Sequence, residues 1–137
     1  MEKNFLKKVV IVWFLFMPIA ILNGVVRNSF YQPLIGELPA HQLSTLIGVF
    51  IFMGFVYFVL GKKISQLSWK SNLLVGMIWL LMTILFEFVF GHYVVGHSWQ
   101  KLFYDYNIFA GRIWSLFLIS EFFTPLFIKF LQKGKSI

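Results

Sequence analysis

LSTLIGVFIFMGFVYFVL, residues 43–60, contains no charged side chain. An α-helix rises about 1.5 Å per residue, and roughly 20 mainly apolar residues are needed to cross the hydrocarbon core of a bilayer. A run of this length and composition is typical of a transmembrane helix rather than of a helix on the surface of a soluble domain.

The whole chain has the composition of a membrane protein. Of its 137 residues, 59% are hydrophobic and 12% are charged, whereas soluble domains average about 45–50% and 25%. Three further apolar windows, at about 9–26, 73–95 and 108–128, are also long enough to span a membrane. We therefore predict an all-α integral membrane protein with a single domain, residues 1–137, that forms a bundle of four transmembrane helices.

The lysines predict the orientation of this bundle. They lie at the N-terminus, between the second and third spans, and at the C-terminus: Lys3, Lys7, Lys8, Lys62, Lys63, Lys70, Lys129, Lys133 and Lys135. With four spans these segments share one side, which the positive-inside rule identifies as the cytoplasm. The prediction is a protein integral to the cytoplasmic (inner or plasma) membrane, with both its N- and C-termini in the cytoplasm.

These nine of the ten lysines, less the charges of Glu2 and Glu121, account for the formal net charge of +7. The charged residues predicted to lie on the opposite side balance one another: Arg27, Lys101 and Arg112 against Glu37, Glu87 and Asp105. A basic cytoplasmic face attracts anionic lipid, so membrane lipids are expected partners and nucleic acid is not. Cysteine is absent, which excludes disulfides and thiolate chemistry.

The third span ends in FEFVFGHYVVGHSW, residues 86–99, where an apolar run contains Glu87, His92 and His97. Four residues of this span recur at four-residue spacing and share one helix face: Trp79, Thr83, Glu87 and Gly91. Because a carboxylate turned toward lipid is costly, this face is predicted to lie against protein or water.

Polar side chains gather toward the extracytoplasmic side. Ten of them are candidates for lining a polar, partly charged cavity that binds a substrate: Asn23, Arg27, Glu37, His41, Glu87, His92, His97, Asp105, Asn107 and Arg112. The arginines and amides offer donors to a carboxylate, a phosphate or a lipid headgroup. Intramembrane carboxyls also form proton relays, so Glu87 and Glu121 are predicted as the outer and inner stations of a proton path.

Local sequence predicts several further details of the helices. Pro18 is expected to kink the first span, and Ser44 with Gly48 forms a surface of small residues where another helix can approach closely. The expected N-caps are Ser71 or Asn72 for the third span and Asp105 or Asn107 for the fourth.

The histidines raise the question of a metal. His41, His92, His97 and Glu87 are residue types that bind zinc, iron or copper. Helical ligand pairs usually lie four residues apart, as in H-E-x-x-H, whereas the spacing here is different and crosses Gly96. We therefore expect no metal and no cofactor.

Three functions remain open at this point. The favoured prediction is a transporter or channel-type protein, acting as a homo-oligomer because four helices enclose little room for an aqueous route. The first alternative is an accessory or structural subunit on a larger membrane partner, in which the charges pair and staple the helices. The second is an enzyme acting on a lipid at the outer surface, although no nucleophile stands out.

Overall fold

The computed structural model describes residues 1–135, and it shows helices and no β-strand in that part of the chain. The α-helices are α1 (Lys3–Val26), α2 (Gln32–Ile35), α3 (Glu37–Gln66), α4 (Trp69–Tyr93), α5 (Trp99–Tyr104) and α6 (Trp114–Gly134). A π-helical turn, Arg27–Tyr31, joins α1 to α2, and a 3₁₀ turn, Ile108–Ala110, lies between α5 and α6. The last two residues of the predicted domain, 136–137, lie outside the described part.

Four helical segments are long and apolar enough to cross a membrane: Lys3–Ile35, Glu37–Gln66, Trp69–Tyr93 and Trp114–Gly134. The first two contain the predicted windows 9–26 and 43–60 completely. The prediction of an all-helical chain with four candidate spans is confirmed by helix length and composition.

The start of the fourth span differs from the prediction of 108–128, because α6 begins only at Trp114. Asp105 lies at the C-terminal end of α5, and Asn107 precedes the 3₁₀ turn. Gly111 then adopts a left-handed backbone with φ of 80°, a conformation that glycine tolerates best and that here reverses the chain. The prediction that Asp105 or Asn107 caps the fourth span is therefore wrong.

The N-cap of α4 also differs from the prediction of Ser71 or Asn72. Ser68 is the cap, and its Oγ accepts a hydrogen bond of 3.1 Å from the backbone N–H of Ser71. Asn72 is fully buried and donates to the carbonyl oxygen of Ile64 over 3.2 Å. Asn72 thus ties the end of α3 to the start of α4.

The ends of the long helices meet in two groups. At one end, the Lys129 ammonium donates to the carbonyl oxygen of Ser65 over 3.0 Å, next to the α3–α4 turn, the first turns of α1 and the last turns of α6. We call this the lysine-rich end. At the other end lie the π-helical turn, α2, α5 and residues 94–113, where Gln42 donates to the carbonyl oxygen of Gly111 over 2.9 Å. We call this the polar end.

Aromatic rings form the centre of the bundle. Phe52 packs edge-on against Phe16, Trp79 and Phe117, with ring centroids 4.9, 5.4 and 6.1 Å away. Edge-to-face pairs of this kind add stability beyond the area they bury. The cluster joins all four long helices. It fills the centre of the bundle between the polar half and the lysine-rich end.

The outward-facing surfaces of the long helices carry many exposed apolar side chains. The most exposed large apolar side chains of the long helices include Phe14, Leu15, Phe50, Phe58, Leu81, Leu85 and Phe130. By contrast, the predicted inward stripe of α4 is confirmed at Trp79, Thr83 and Gly91, which are all buried.

Candidate functional site: a cavity at the polar end

A cavity of about 920 Å³ occupies the polar half of the bundle, between α1, α3, α4 and the segment around α5. This volume is near the upper limit of small-molecule pockets, which measure about 300–1,000 Å³. Of the predicted cavity residues, the lining includes Asn23, Arg27, Glu37, His41, Glu87, His97, Asp105 and Arg112. The structure thus brings most of these residues together around one space.

Two of the predicted residues, His92 and Asn107, do not line the cavity. The His92 ring stacks on Trp99 with centroids 3.7 Å apart, and its Nδ1 lies 2.8 Å from the carbonyl oxygen of His97. The Asn107 carbonyl oxygen accepts hydrogen bonds of 3.2 Å from the backbone N–H groups of Ala110 and Arg112. Both residues therefore shape the segment that connects α4 to α6, residues 94–113, instead of facing the cavity. We call it the connecting segment.

The cavity exists because α1 and α4 separate toward the polar end. Trp79 Nε1 donates to the carbonyl oxygen of Val9, and Trp13 Nε1 donates to Thr83 Oγ1, each over 2.9 Å. Trp13 also packs against the Phe86 ring with centroids 5.7 Å apart. Beyond Phe86, the facing residues of the two helices line the cavity instead of touching.

Arg112 holds the connecting segment to α3. Its guanidinium is 3% exposed, and Nη2 lies 2.7 Å from Glu37 Oε1 and 2.6 Å from Asp105 Oδ1. Burial disfavours the charged guanidinium, but the hydrogen bonds to both carboxylates outweigh this and raise the pKa of Arg112 above its ordinary value. These ion pairs form a staple of the kind expected of a structural subunit. The staple includes neither Arg27 nor Glu87.

Arg27 has no carboxylate within ion-pair distance among residues 1–135. Its Nε donates to Asn28 Oδ1 over 3.0 Å, and its Nη1 donates to Ser44 Oγ over 3.1 Å. Asn23, one helical turn earlier, donates to the Ser44 carbonyl oxygen over 2.9 Å. The π-helical turn starts at Arg27, and such turns are frequent at functional sites. Arg27 thus remains a positive charge available to the cavity.

His41 faces the same cavity from α3. Its side chain is only 9% exposed, and Nε2 is buried without a hydrogen-bond partner among the described residues. A buried polar atom without a partner costs free energy of about 1–3 kcal/mol. The side chain lines the cavity, so a small rotation of the ring would let a ligand or water there remove that cost.

Glu87 lies on α4 and is held by two neutral donors. Tyr106 Oη and Trp114 Nε1 each donate to Oε2 over 2.6 Å. Burial and the hydrogen bond to Glu87 raise the pKa of the Tyr106 hydroxyl, so Tyr106 acts as a donor. Within residues 1–135, Glu87 has no basic partner, and its Oε1 makes no hydrogen bond. Oε1 is therefore available to the cavity.

A second carboxyl group, that of Glu121, lies just outside the cavity on its lysine-rich side, which we call the cavity floor. Thr83 lines the floor and donates to Glu121 Oε1 over 2.6 Å, while its own oxygen accepts from Trp13. Glu121 is 1% exposed, and its Oε2 has no partner among the described residues. Thr83 and Glu87 are one helical turn apart, about 6 Å along the axis. The Thr83 hydroxyl thus lies between the cavity and Glu121.

The predicted histidines do not converge on a metal site. No group of three or more His, Cys, Asp or Glu residues in the described part of the chain could hold a metal ion. His41 lines the cavity from α3, whereas His92 is committed to its stack on Trp99.

Sequence reasoning missed Tyr106 and Trp114, the two donors that position the Glu87 carboxyl group. Aromatic residues with polar tips are also common at membrane interfaces, so their type gave no signal of a buried contact. The donor to Glu121 had a visible signal, because Thr83 belongs to the same four-residue stripe as Glu87.

The chain matches no protein-family model, no curated protein sequence and no solved structure. Its function therefore has to be argued from the cavity and from the charges that face it.

Proposed function

We propose that this chain is a small transport protein whose cavity binds a polar solute. We also propose that the chain lies in the cytoplasmic membrane, with both termini in the cytoplasm and the polar end on the extracytoplasmic side. The reason is that most lysines gather at the opposite end. One observation carries the proposal: Arg27 and Glu87 line a cavity of about 920 Å³ and form no ion pair with any described residue.

The cost of charge in a membrane supports this interpretation. An ionisable residue within a membrane is expensive unless it is paired, and it usually marks a substrate or ion pathway. Arg112 is a paired residue, since it is buried between two carboxylates. Arg27 and Glu87 form no ion pair with any described residue, and hydrogen bonds to neutral groups offset only part of their cost. A ligand or water in the cavity would offset the rest.

We place a proton path between Glu87 and Glu121. The Thr83 hydroxyl is hydrogen-bonded to Glu121 and is also part of the cavity floor. A proton that leaves Glu87 therefore needs to cross about one helical turn of cavity before it reaches Thr83. The partner-free Oε2 of Glu121 is a site where that proton can rest.

Release toward the cytoplasm requires a rearrangement, because the aromatic cluster around Phe52 closes the lower half of the bundle. The α1–α4 contact is the natural place for it, since these helices are joined by two tryptophan hydrogen bonds and one ring contact. The cavity is formed by a single chain. The proposal of a homo-oligomer, or of a larger membrane partner, therefore concerns the translocation step and not binding.

Membrane lipids are the other proposed partners. A groove of about 560 Å³ lies between α1 and α3 at the lysine-rich end. It combines Lys8, Lys62 and Lys63 with the apolar side chains of Ile11 and Phe58. This arrangement suits an anionic headgroup with its acyl chain alongside.

The second candidate function is an accessory subunit, which the staple of Arg112, Glu37 and Asp105 favours. In that case the staple would hold the polar end in the shape that a larger partner recognises. The two candidates differ in one respect: a transporter exposes its cavity to both sides of the membrane in turn, and a docking subunit does not.

Single cysteines separate these candidates, because the chain contains no cysteine of its own. Ala20→Cys places a thiol on the cavity wall, and Val89→Cys places one on the apolar exterior of α4. The protein would be reconstituted in vesicles of both orientations and treated with a membrane-impermeant thiol reagent. We expect the Ala20→Cys thiol to react from both sides and the Val89→Cys thiol from neither.

Each other result has a defined meaning. Reaction of the Ala20→Cys thiol only from the extracytoplasmic side would contradict transport and leave the accessory function. Reaction no faster than that of the Val89→Cys control would show that water does not fill the cavity, and both the cavity and the proposed function would fail.

A further inference from the structure

The charges that line the cavity are not equally available to a ligand. Arg112 is engaged by two carboxylates, Glu37 and Asp105, and Lys101 lies 4.0 Å from Asp105. Among the described cavity residues this leaves Arg27 and Glu87 as one positive and one negative group without ionic partners. Arg27 lies in the π-helical turn that follows α1, and Glu87 lies on α4. The helices α1 and α4 separate around the cavity.

The surroundings of Arg27 form a donor-rich pole. The guanidinium is fixed by Ser44 Oγ and Asn28 Oδ1, which leaves its Nη2 without a hydrogen bond among the described residues. The buried and partner-free Nε2 of His41 lies one helical turn before Ser44 on the neighbouring helix α3. A guanidinium and an imidazole together suit a carboxylate or a phosphate.

The surroundings of Glu87 form an acceptor pole. The donors Tyr106 and Trp114 both hold Oε2 and so fix the direction of the carboxyl group. The other oxygen, Oε1, makes no hydrogen bond within residues 1–135. A positively charged group with several N–H donors, such as an ammonium, fits an oxygen of this kind.

Apolar side chains complete the cavity wall between these poles. They include Ile19 and Ala20 from α1 and Phe86 and Phe90 from α4. A ligand long enough to span this space would therefore meet a positive group at one end, a negative group at the other and an apolar surface between them.

We propose that the cavity binds a zwitterion, with its anionic group at Arg27 and His41 and its ammonium group at Glu87. This inference rests on the proposed function and specifies its ligand class. The apolar wall adds a preference for a zwitterion that also carries a hydrophobic group. Two sources share this chemistry: an amino acid with an apolar side chain and the headgroup of an ethanolamine phospholipid.

The test measures how well defined probes protect the Ala20→Cys thiol from the impermeant reagent. The probes are lauroyl lysophosphatidylethanolamine, lauroyl lysophosphatidylglycerol, dodecylammonium and phenylalanine, which separate a lipid zwitterion, an anion, a cation and a soluble zwitterion. We expect at least one zwitterion to protect at a concentration about tenfold below both singly charged probes, since a further charged hydrogen bond changes affinity by that order. Protection by lysophosphatidylethanolamine alone identifies a lipid headgroup, and protection by phenylalanine alone identifies a soluble solute.

Charge-neutral variants assign the two poles. In an Ala20→Cys background, Arg27→Gln should weaken the zwitterion about tenfold and leave dodecylammonium unchanged. Glu87→Gln should weaken the zwitterion similarly and leave lysophosphatidylglycerol unchanged. Lys70→Gln, at an exposed site near the start of α4 and outside the cavity, is the control and should change neither. Arg27→Gln leaves the contacts of Glu87 intact, so it tests the inference even if Glu87→Gln does not fold.

Protection by a singly charged probe that equals the zwitterions, or zwitterion binding that survives Arg27→Gln, would overturn the inference. The proposed function would still stand in that case, provided that the Ala20→Cys thiol reacts from both sides without any probe. Failure of that reaction would instead remove the proposed function itself.

Discussion

At Gly76, α4 packs directly against the α6 backbone at Phe122, and Gly76→Ala tests the fold at this contact. A Cβ atom at position 76 would overlap the carbonyl oxygen of Phe122 and lie 2.8 Å from its carbonyl carbon. The same atom would be 3.1 Å from the Phe122 Cα. Because the obstacle is backbone, no side chain can rotate away, and the two helices have to separate.

The cost is that of overpacking two buried helices. Overpacking in a well-packed core typically costs about 1–3 kcal/mol, and separation of α4 from α6 also disturbs the buried contact between Thr83 and Glu121. The intrinsic preference of a helix for alanine over glycine offsets at most about 1 kcal/mol. The disturbed hydrogen bond is worth about 1 kcal/mol and compensates for that offset. We therefore expect a net loss of about 1–3 kcal/mol in the free energy of unfolding.

Thermal unfolding in detergent, followed by circular dichroism, measures this loss. Gly54→Ala is the matched control, because a Cβ atom at position 54 meets nothing within 4 Å. Gly76→Ala should unfold at a lower temperature than the wild type, and Gly54→Ala should not. Equal melting of the two variants would show that α4 and α6 do not cross as described.

Three further outcomes are expected. Arg112→Ala should lower the free energy of unfolding by about 2–3 kcal/mol, because it leaves Glu37 and Asp105 without Arg112 as their partner. Lys101→Ala, at an exposed site, should change it by less than about 0.5 kcal/mol. Equal values for the two variants in urea unfolding would refute the staple. Thr83→Val should cost about 1–3 kcal/mol, because it removes the partner of both Trp13 and Glu121, and melting at the wild-type temperature would contradict that network. The triple variant Lys8→Gln, Lys62→Gln and Lys63→Gln should bind less phosphatidylglycerol in native mass spectrometry, whereas Lys70→Gln should not. Unchanged lipid binding would exclude the groove as a lipid-binding site.

The sequence predicted the long helices well, because they depend on a strong and simple signal. A run such as residues 43–60 has no charge, and only helix length decides whether it can span. The inward stripe of α4 was equally visible, since lipid exposure penalises a carboxyl such as Glu87. Burial on one face of a helix is thus read directly from spacing.

The connecting segment could not be predicted in the same way. The start of α6 depends on Gly111, whose left-handed backbone reverses the chain before Trp114, and several glycines near helix ends look equivalent in sequence. The pairing of charges was also undetermined. Balanced charges allow Arg112 to pair with Glu87 as well as with Asp105, and only the folded connection between α5 and α6 shows that Arg112 bonds to Asp105.

The most direct test of the account is an infrared measurement on Glu87. Difference spectra would be recorded against pH for the wild type and Glu87→Gln in nanodiscs. The wild type should show a carboxyl band that responds to pH and is missing from the variant, because Glu87 lines the cavity and has no basic partner among the described residues. Identical spectra for the two proteins would contradict a carboxyl group that is accessible from the cavity.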